Sequence, residues 1–497
     1  MLFNSLSFLI FFPIVLLVYF IIPNRIKNFW LLVSSYYFYM CWNAKYALLI
    51  LTSTIITFIS GLLLEKIKNL NNESKKPFLK KLVVFASFTT NLCILFYFKY
   101  INFLFDLLKD TFNLLNISIN TPTFDIILPV GISFYTFQAL SYTIDVYRNE
   151  IKAEKNFLRY ALFVSFFPQL VAGPIERSKN LLKQFVKPKR FNYEMAQEGF
   201  LLMIWGYFLK LVISDRISIF VDKVYGDFHT FPGWYIVVAT IFFSIQIYCD
   251  FYSYSVIAMG AAKILGINLM QNFKAPYLST SVSNFWKRWH ISLTSWFKDY
   301  LYIPLGGSKK SHIRTHLNKM IVFLVSGLWH GADLSFVIWG GLNGLYLVFA
   351  NILKPIRDFT VSFFNLNRSS IGHKALKGIV TYVLINISWV FFRAKSFEEA
   401  IKIFKSMINT NNIWIFFDGS LFECGLSREH FYVLIPSLLI LLLSDIATLN
   451  NITVRNVIKN QDFWCRASIM IFAICFILIF GIWGSGYNAQ GFIYFQF

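Results

Sequence analysis

The sequence predicts an all-α, polytopic integral membrane protein, and three observations support this prediction. Of the 497 residues, 57% are hydrophobic and only 14% are charged, whereas soluble globular proteins carry roughly a quarter charged residues. Mean hydropathy is +0.56, which is too apolar for a disordered or fibrous chain. Apolar runs of about 20 residues, the length of a membrane-spanning helix, recur along the chain. The composition therefore excludes an ordinary soluble enzyme.

The first half of the chain carries a series of apolar runs that predict helices. Leu6–Ile22 has no small-residue cleavage site after it, so we expect an uncleaved anchor. Leu128–Val146 is interrupted by a proline and a glycine, and Phe157–Val171 contains a proline near its end. The full series is Leu6–Ile22, Phe29–Trp42, Tyr46–Leu64, Leu82–Phe105, Leu128–Val146, Phe157–Val171, Gly199–Ile213 and Trp234–Ala262.

The second half adds a shorter series of apolar runs. Its members are Met320–Trp329, Leu334–Leu353, Gly378–Phe392, Phe431–Leu449 and Ile469–Ile482. We expect roughly ten to twelve spans in all, because each needs about 20 mostly apolar residues. The shorter and Pro/Gly-interrupted segments are predicted to be re-entrant, since irregular backbone is tolerated at membrane depth only inside protein or beside a water-filled cavity.

The charge balance is strongly basic, with 46 Lys and Arg against 25 Asp and Glu, a formal net charge of +21. The basic residues cluster between apolar runs, at Lys66–Lys81, Lys179–Arg190 and Lys309–Lys319. This arrangement favours cytoplasmic loops beside anionic lipid headgroups. Nucleic-acid binding is disfavoured, because exposed aromatic stacking platforms are missing from these loops. The loops would also attract phosphate-rich molecules from the cytosol.

Several classes of site are excluded by their missing motifs. The six Cys include no CxxC pair, so neither a disulfide scaffold nor a Cys-based zinc site is expected. His312 and His316 have the four-residue spacing of a helical metal pair, but basic residues crowd them and no nearby carboxylate completes a site. We therefore predict no metal site. Without a GxSxG, Walker or Rossmann motif, any chemistry is expected to use histidine as a general base.

The polar segment Asn272–Lys319 is rich in Trp, Phe and Tyr. From Ser283 onward its spacing predicts one amphipathic helix lying along the membrane interface. Trp286, His290, Leu293 and Phe297 would share the buried stripe of that helix. A histidine there is either functional or a structural residue that hydrogen-bonds a neighbouring helix, and this segment alone favours the structural role.

A second histidine ends the apolar run Met320–Trp329. His330 is flanked by Gly327 and Gly331, whose missing side chains permit close approach of another backbone or a ligand. A polar residue at membrane depth is a functional hypothesis by default, and histidine exchanges protons near neutral pH. A capping or packing histidine is the alternative interpretation.

Longer motifs around both histidines resemble the membrane-bound O-acyltransferase (MBOAT) family, in the branch typified by alginate O-acetylation proteins. The resemblance runs from Gln246-Ile-Tyr-Cys-Asp-Phe to Pro304-Leu-Gly-Gly and continues in Ser326-Gly-Leu-Trp-His-Gly. Pro168-Gln-Leu-Val-Ala-Gly-Pro-Ile and Trp389-Val-Phe-Phe-Arg-Ala-Lys match the same branch. The similarity covers nearly the whole chain.

The resemblance implies a single MBOAT domain over residues 1–497, with a catalytic motif region at about 246–345 and a helical funnel around a central tunnel. His330 corresponds to the family's catalytic histidine and His290 to its supporting histidine. The other residues expected to contact substrate or line the tunnel are Trp286, Arg288, Trp329, Asp250 and Asn284. The implied donor is acetyl-CoA, with no bound cofactor. The implied acceptor is a polysaccharide, reached through an extracytoplasmic acetyltransferase partner, and the implied location is the cell membrane.

The chain departs from the family pattern in one segment. It has Asp250-Phe-Tyr-Ser-Tyr-Ser-Val256, where the family often shows a glycine at Ser253 and a second acid at Val256. Asp250 is therefore the only carboxylate of that segment. Two alternatives stay open at this point: transfer of another acyl group such as D-alanine, and a non-catalytic transporter, which half-spanning segments would also suit.

Overall fold

The computed structural model describes residues 1–71, 73–118, 120–408, 412–484 and 493. Within these ranges every regular element is helical and no strand occurs, which confirms the all-α prediction. Seven described helices are long and apolar enough to cross a membrane, so the chain is a multi-pass membrane protein. They are Ala44–Lys68, Lys76–Lys99, Trp234–Ile264, Leu334–Ile352, Ile371–Arg393, Arg428–Leu449 and Phe463–Phe480.

The chain forms two compact units. The first comprises Met1–Met203 and Ile257–Met270, and the second comprises Ile204–Val256 and Gln271–Phe497. The α-helices from the N-terminus are α1 Leu6–Ile21, α2 Lys27–Met40, α3 Ala47–Lys68, α4 Lys76–Lys99, α5 Ile101–Leu114, α6 Ile132–Tyr147, α7 Phe157–Ser165, α8 Phe167–Leu170, α9 Ser178–Gln184, α10 Tyr193–Tyr207, α11 Asp215–Gly226 and α12 Trp234–Ile264.

The remaining helices follow the second half of α12 and belong to the second unit. They are α13 Val282–Trp286, α14 Ile291–Phe297, α15 His312–His330, α16 Leu334–Ile352, α17 Lys354–Phe363, α18 Ile371–Arg393, α19 Phe397–Ile408, α20 Arg428–Leu449, α21 Val454–Lys459 and α22 Phe463–Phe480. Two π-helical segments, Phe208–Ser214 and Lys298–Tyr302, continue α10 and α14. Segments of this kind are frequent at functional sites.

The first unit is built around α6, which is buried along almost its whole length. Its polar as well as its apolar side chains are enclosed by neighbouring helices. Tyr142 of α6 packs against Tyr160 of α7 with ring centroids 4.5 Å apart, and Tyr160 donates a hydrogen bond to Thr57 of α3 at 2.7 Å. Polar side chains of the enclosed helices thus satisfy one another.

Several predicted runs begin or break where a proline, a glycine or an aromatic residue interrupts them. The run Leu128–Val146 becomes helical only at Ile132, because Gly131 before it has left-handed backbone (φ +76°). Phe157–Val171 breaks at Phe166, and Pro168 then occupies the first turn of α8, where its missing N–H is not needed. Leu82–Phe105 divides at Tyr100 into α4 and α5. The described part of the chain therefore contains seven helices long enough to span, fewer than the ten to twelve spans predicted from the sequence.

Glu176 is a buried carboxylate in the loop between α8 and α9 of the first unit. It is 1% exposed, and its Oε1 accepts a hydrogen bond from the backbone N–H of Met270. Burial raises the pKa of Glu176 to about 7, opposed by that hydrogen bond and by the adjacent Arg177. The folded protein therefore holds this proton more tightly than the unfolded chain does.

Replacing Glu176 with glutamine is expected to reduce the pH dependence of stability. Because the folded pKa is raised, the stabilising contribution of the proton is present at low pH and is lost as the pH rises through about 7. The wild type should lose about 3 kcal/mol more stability than the Gln variant between about pH 5 and pH 8. Thermal unfolding of detergent-solubilised protein measures this difference. The exposed Glu73→Gln is the control, and parallel pH profiles for wild type and Glu176→Gln would contradict the prediction.

Candidate active site

His290 lies in a sharp turn between two short helices. The prediction of one continuous helix from Ser283 is wrong: α13 ends at Trp286, and α14 begins at Ile291. Between them His290 has left-handed backbone, with φ 43° and ψ 55°. This conformation is rare for a non-glycine residue and needs support from surrounding structure.

The support comes from Asn272, which is buried and eighteen residues earlier in the chain. The backbone N–H of Ile291 donates to the carbonyl of Asn272 at 2.9 Å, and the N–H of Ser292 donates to its Oδ1 at 3.2 Å. The Asn272 Nδ2 in turn donates to Ser255 Oγ of α12 at 3.1 Å. One asparagine thus ties the His290 turn to the long helix α12.

Substituting Asn272 with alanine is expected to lower both stability and activity. It removes two buried side-chain hydrogen bonds, at a cost of about 1–3 kcal/mol, and releases the turn that positions His290. Asn318→Ala is a matched control, because the side chain of the buried Asn318 likewise makes two hydrogen bonds, both donated by Nδ2 to the carbonyls of Leu305 and Gly307. We expect similar thermal destabilisation for the two variants but a larger loss of activity for Asn272→Ala. Equal losses of activity would contradict a positioning role.

His330 is the last residue of α15, at the closed end of a tight hairpin with α16. A Cβ on Gly327 would lie 2.2 Å from the carbonyl oxygen of Phe336, and one on Gly340 would lie 2.2 Å from that of Phe323. The α15 and α16 backbones are therefore in direct contact, as the glycines beside His330 suggested. This contact fixes the helix end that carries the imidazole.

The two histidines lie close together in the second unit. Their ring centroids are 6.4 Å apart, and both side chains are buried, at 1% and 7% exposure. Trp329 lies within 6.0 Å of His290 and 4.9 Å of His330. Phe251 of α12 packs edge-on against His290 at 4.6 Å. Residues forty positions apart in the sequence thus form one cluster.

Large aromatic rings surround His330. Trp339 of α16 and Phe392 of α18 lie 5.0 and 5.4 Å from its ring. Trp339 also contacts Trp286 of α13 at 5.6 Å and Trp389 of α18 at 5.9 Å. Such a lining excludes bulk water, which would hydrolyse a reactive acyl group and weaken local electrostatic interactions.

Burial determines the charge state of His290. Desolvation lowers the pKa of its imidazole to about 3. The ring is therefore neutral at physiological pH, with one nitrogen as a donor and the other as an acceptor. A neutral imidazole can orient a neighbouring polar group without placing a positive charge in the apolar cluster.

The other predicted site residues divide into three groups. Trp286 and Trp329 belong to the aromatic cluster around the histidines. Asn284 and Arg288 are half-buried at the α13 turn, where the Arg288 guanidinium donates to the carbonyl of Ala275 at 3.5 Å. Asp250 is buried in an ion cluster, 2.6 Å from Lys210 Nζ.

Sequence reasoning missed three contributors to this region. Asn272 was only the start of a polar segment, and nothing local marks it as the support of a turn. Trp339 lies in an apolar, glycine-rich helix, where nothing in the sequence distinguishes it from a packing residue. Asp445 of α20 accepts a hydrogen bond from Tyr248 at 3.0 Å, and the rule that flags acids inside apolar helices would have found it.

Comparisons with known proteins identify the family to which the chain belongs. Residues 38–392 match the model of MBOAT, the membrane-bound O-acyltransferase family. The chain is 34% identical over 412 residues to the probable alginate O-acetylase AlgI of Pseudomonas aeruginosa, covering 82% of this chain and 75% of that protein. It is 33% identical over 462 residues to a peptidoglycan O-acetyltransferase of Helicobacter pylori, covering 86% and 82%.

A more distant similarity links the chain to a teichoic acid D-alanyltransferase of Bacillus subtilis. That match has 25% identity over 251 residues, 47% of this chain and 61% of that protein. The family match includes both histidines and the aromatic cluster around them. The chain therefore belongs to the membrane-bound O-acyltransferase family and is an acyltransferase.

Proposed function

We propose that this enzyme O-acetylates a cell-surface polysaccharide from the cell membrane, using cytoplasmic acetyl-CoA as the donor. The observation that carries the proposal is the pair of buried imidazoles of His290 and His330, enclosed by aromatic rings. Its reaction class is supported by the similarity to an alginate O-acetylase and a peptidoglycan O-acetyltransferase, both of which exceed the D-alanyltransferase in identity and coverage.

In the proposed reaction His330 acts as the general base. One imidazole nitrogen takes the proton of an acceptor hydroxyl while the hydroxyl oxygen attacks the thioester carbonyl carbon. The carbon–sulfur bond then breaks, and the same proton passes from the imidazolium to the departing thiolate. The products are an acetyl ester and free coenzyme A thiol. The family resemblance gives His290 the supporting role, and burial lowers its pKa, so we assign it to orientation.

The unit that holds the histidines also offers a basic surface for the donor. Lys287, Lys298, Lys309, Lys310 and Arg314 are all exposed. Exposed cations of one sign raise the local concentration of a phosphate-bearing ligand such as coenzyme A. We further infer that the acetyl group reaches the polysaccharide through an extracytoplasmic acetyltransferase partner, as the family resemblance implies.

The test is to identify the ester that this protein adds to the cell surface. Surface polymers from wild-type cells, deletion cells and deletion cells complemented with the full chain are treated with mild base, and the released acids are identified by mass spectrometry. We expect acetate that depends on the protein. Release of D-alanine instead would replace the acetyl proposal. No ester difference, together with no consumption of radiolabelled acetyl-CoA by protein in lipid vesicles, would favour a transporter.

A further inference from the structure

Trp339, which lies beside His330, and Trp286, which packs against Trp339, present buried hydrogen-bond donors without acceptors. The indole Nε1 atoms of Trp286 and Trp339 are fully buried and have no hydrogen-bond partner within the described part of the chain. Their side chains are 8% and 1% exposed. Both belong to the second unit, and their rings meet edge to face at 5.6 Å.

The position of Trp339 next to His330 suggests what these donors bind. The Trp339 ring lies 5.0 Å from the His330 ring, nearly perpendicular to it. A buried N–H that lacks an acceptor destabilises the protein, and a bound ligand with a hydrogen-bond acceptor would remove that cost. Indole N–H can only donate, and the matching ligand atom is therefore an oxygen acceptor that reacts beside the base.

We infer that the indole N–H groups of Trp339 and Trp286 bind the carbonyl oxygen of the acyl donor and stabilise the negative charge that develops on it. This inference rests on the proposed function. When the acceptor oxygen bonds to the carbonyl carbon, the carbonyl π-electrons move to its oxygen, and the two N–H groups donate to that oxyanion. The carbonyl re-forms as the carbon–sulfur bond breaks, with the proton held by His330 passing to sulfur.

Phenylalanine at either position tests this role, because it keeps an aromatic ring and removes the N–H. Losing one donor to an oxyanion typically lowers turnover by about 10²–10³-fold. We expect turnover of acetyl-CoA to fall by about 100-fold in Trp339→Phe and in Trp286→Phe. Trp414→Phe is the matched control, since Trp414 is 70% exposed and should retain activity.

A binding ratio separates the hydrogen bond from general damage to the fold. Two unreactive donor analogues are compared on full-length protein in lipid vesicles: the ketone in which methylene replaces the sulfur of acetyl-CoA, and S-ethyl-CoA, which lacks the carbonyl oxygen. The wild type and His330→Ala should prefer the ketone by about tenfold, and each Phe variant should lose most of that preference. Because the ratio is measured within one sample, partial misfolding does not change it.

The outcomes distinguish the role of the two indole N–H groups from the choice of acetyl-CoA as the donor. Wild-type preference for the ketone that persists unchanged in both Phe variants would overturn the inference while leaving the donor assignment intact. Failure of the wild type to bind either analogue would overturn acetyl-CoA as the donor, and the inference with it. Loss of preference in both Phe variants but not in Trp414→Phe would support the assignment.

Discussion

Replacing His330 with alanine is expected to abolish acyl transfer while the protein still reaches the membrane. The imidazole is buried at the end of α15 among Trp329, Trp339 and Phe392, and this enclosed site would lose its base. General-base help contributes about 10²–10⁴-fold to a reaction rate, so surface acetyl ester should fall to the level of deletion cells. Ester content and membrane abundance are measured on the same cells.

The exposed His229 offers a control for this experiment. His229→Ala should leave ester content unchanged, since the residue lies in the turn after α11, outside the aromatic cluster. His330→Gln adds a second test, because it fills more of the space that alanine leaves empty yet cannot act as a base. Full acetylation in both His330 variants would remove this residue from the mechanism.

The sequence predicted which residues are buried at the candidate site better than it predicted how the backbone arranges them. Periodicity placed Trp286, His290, Leu293 and Phe297 on one buried stripe, and all four are buried. They do not share a helix, because the backbone reverses at His290. Helical spacing predicts which side chains face the protein interior. It does not predict a turn that is stabilised by hydrogen bonds to Asn272, eighteen residues earlier.

The same limit applies to the ends of helices. Hydropathy located the apolar runs, but a helix begins or stops where single residues change the backbone, as at Gly131 and Phe166. The apolar run Met320–Trp329 is by itself too short to span a membrane, and several polar residues, including Asn318 and Lys319, precede it. They nevertheless continue α15 back to His312, since helical hydrogen bonding does not require apolar side chains.

Asp250 shows how long-range contacts change the interpretation of a motif. The family resemblance implied that Asp250 contacts substrate or lines the tunnel, and the structure adds that its carboxylate lies 2.6 Å from Lys210 Nζ and 2.7 Å from the Ile493 backbone N. Lys210 lies in the π-helical segment that follows α10. No pattern within either segment predicts that the two residues meet.

Replacing Lys210 with methionine is expected to destabilise the second unit strongly. Its ammonium group lies 2.6 Å from Asp250 and 2.9 Å from Asp215, and all three side chains are almost fully buried. Removing the cation leaves two carboxylates in an apolar surrounding, and breaking a buried ion pair in this way costs about 3–5 kcal/mol. Because Asp250 precedes Phe251, which packs on His290, acyl transfer should fall as well. The loss of stability is measured by thermal unfolding of the detergent-solubilised protein, monitored as the decrease in monodisperse protein.

Two further variants isolate the electrostatic cause. Arg368→Met breaks the exposed pair between Arg368 and Asp358, and it should leave the unfolding temperature nearly unchanged because solvent screens surface ion pairs. Combining Lys210→Met with Asp250→Asn and Asp215→Asn removes the stranded negative charges, so it should recover much of the lost stability. If the triple variant were no more stable than Lys210→Met alone, the destabilisation would come from lost packing of the lysine side chain. The unpaired buried carboxylates would then not be its cause.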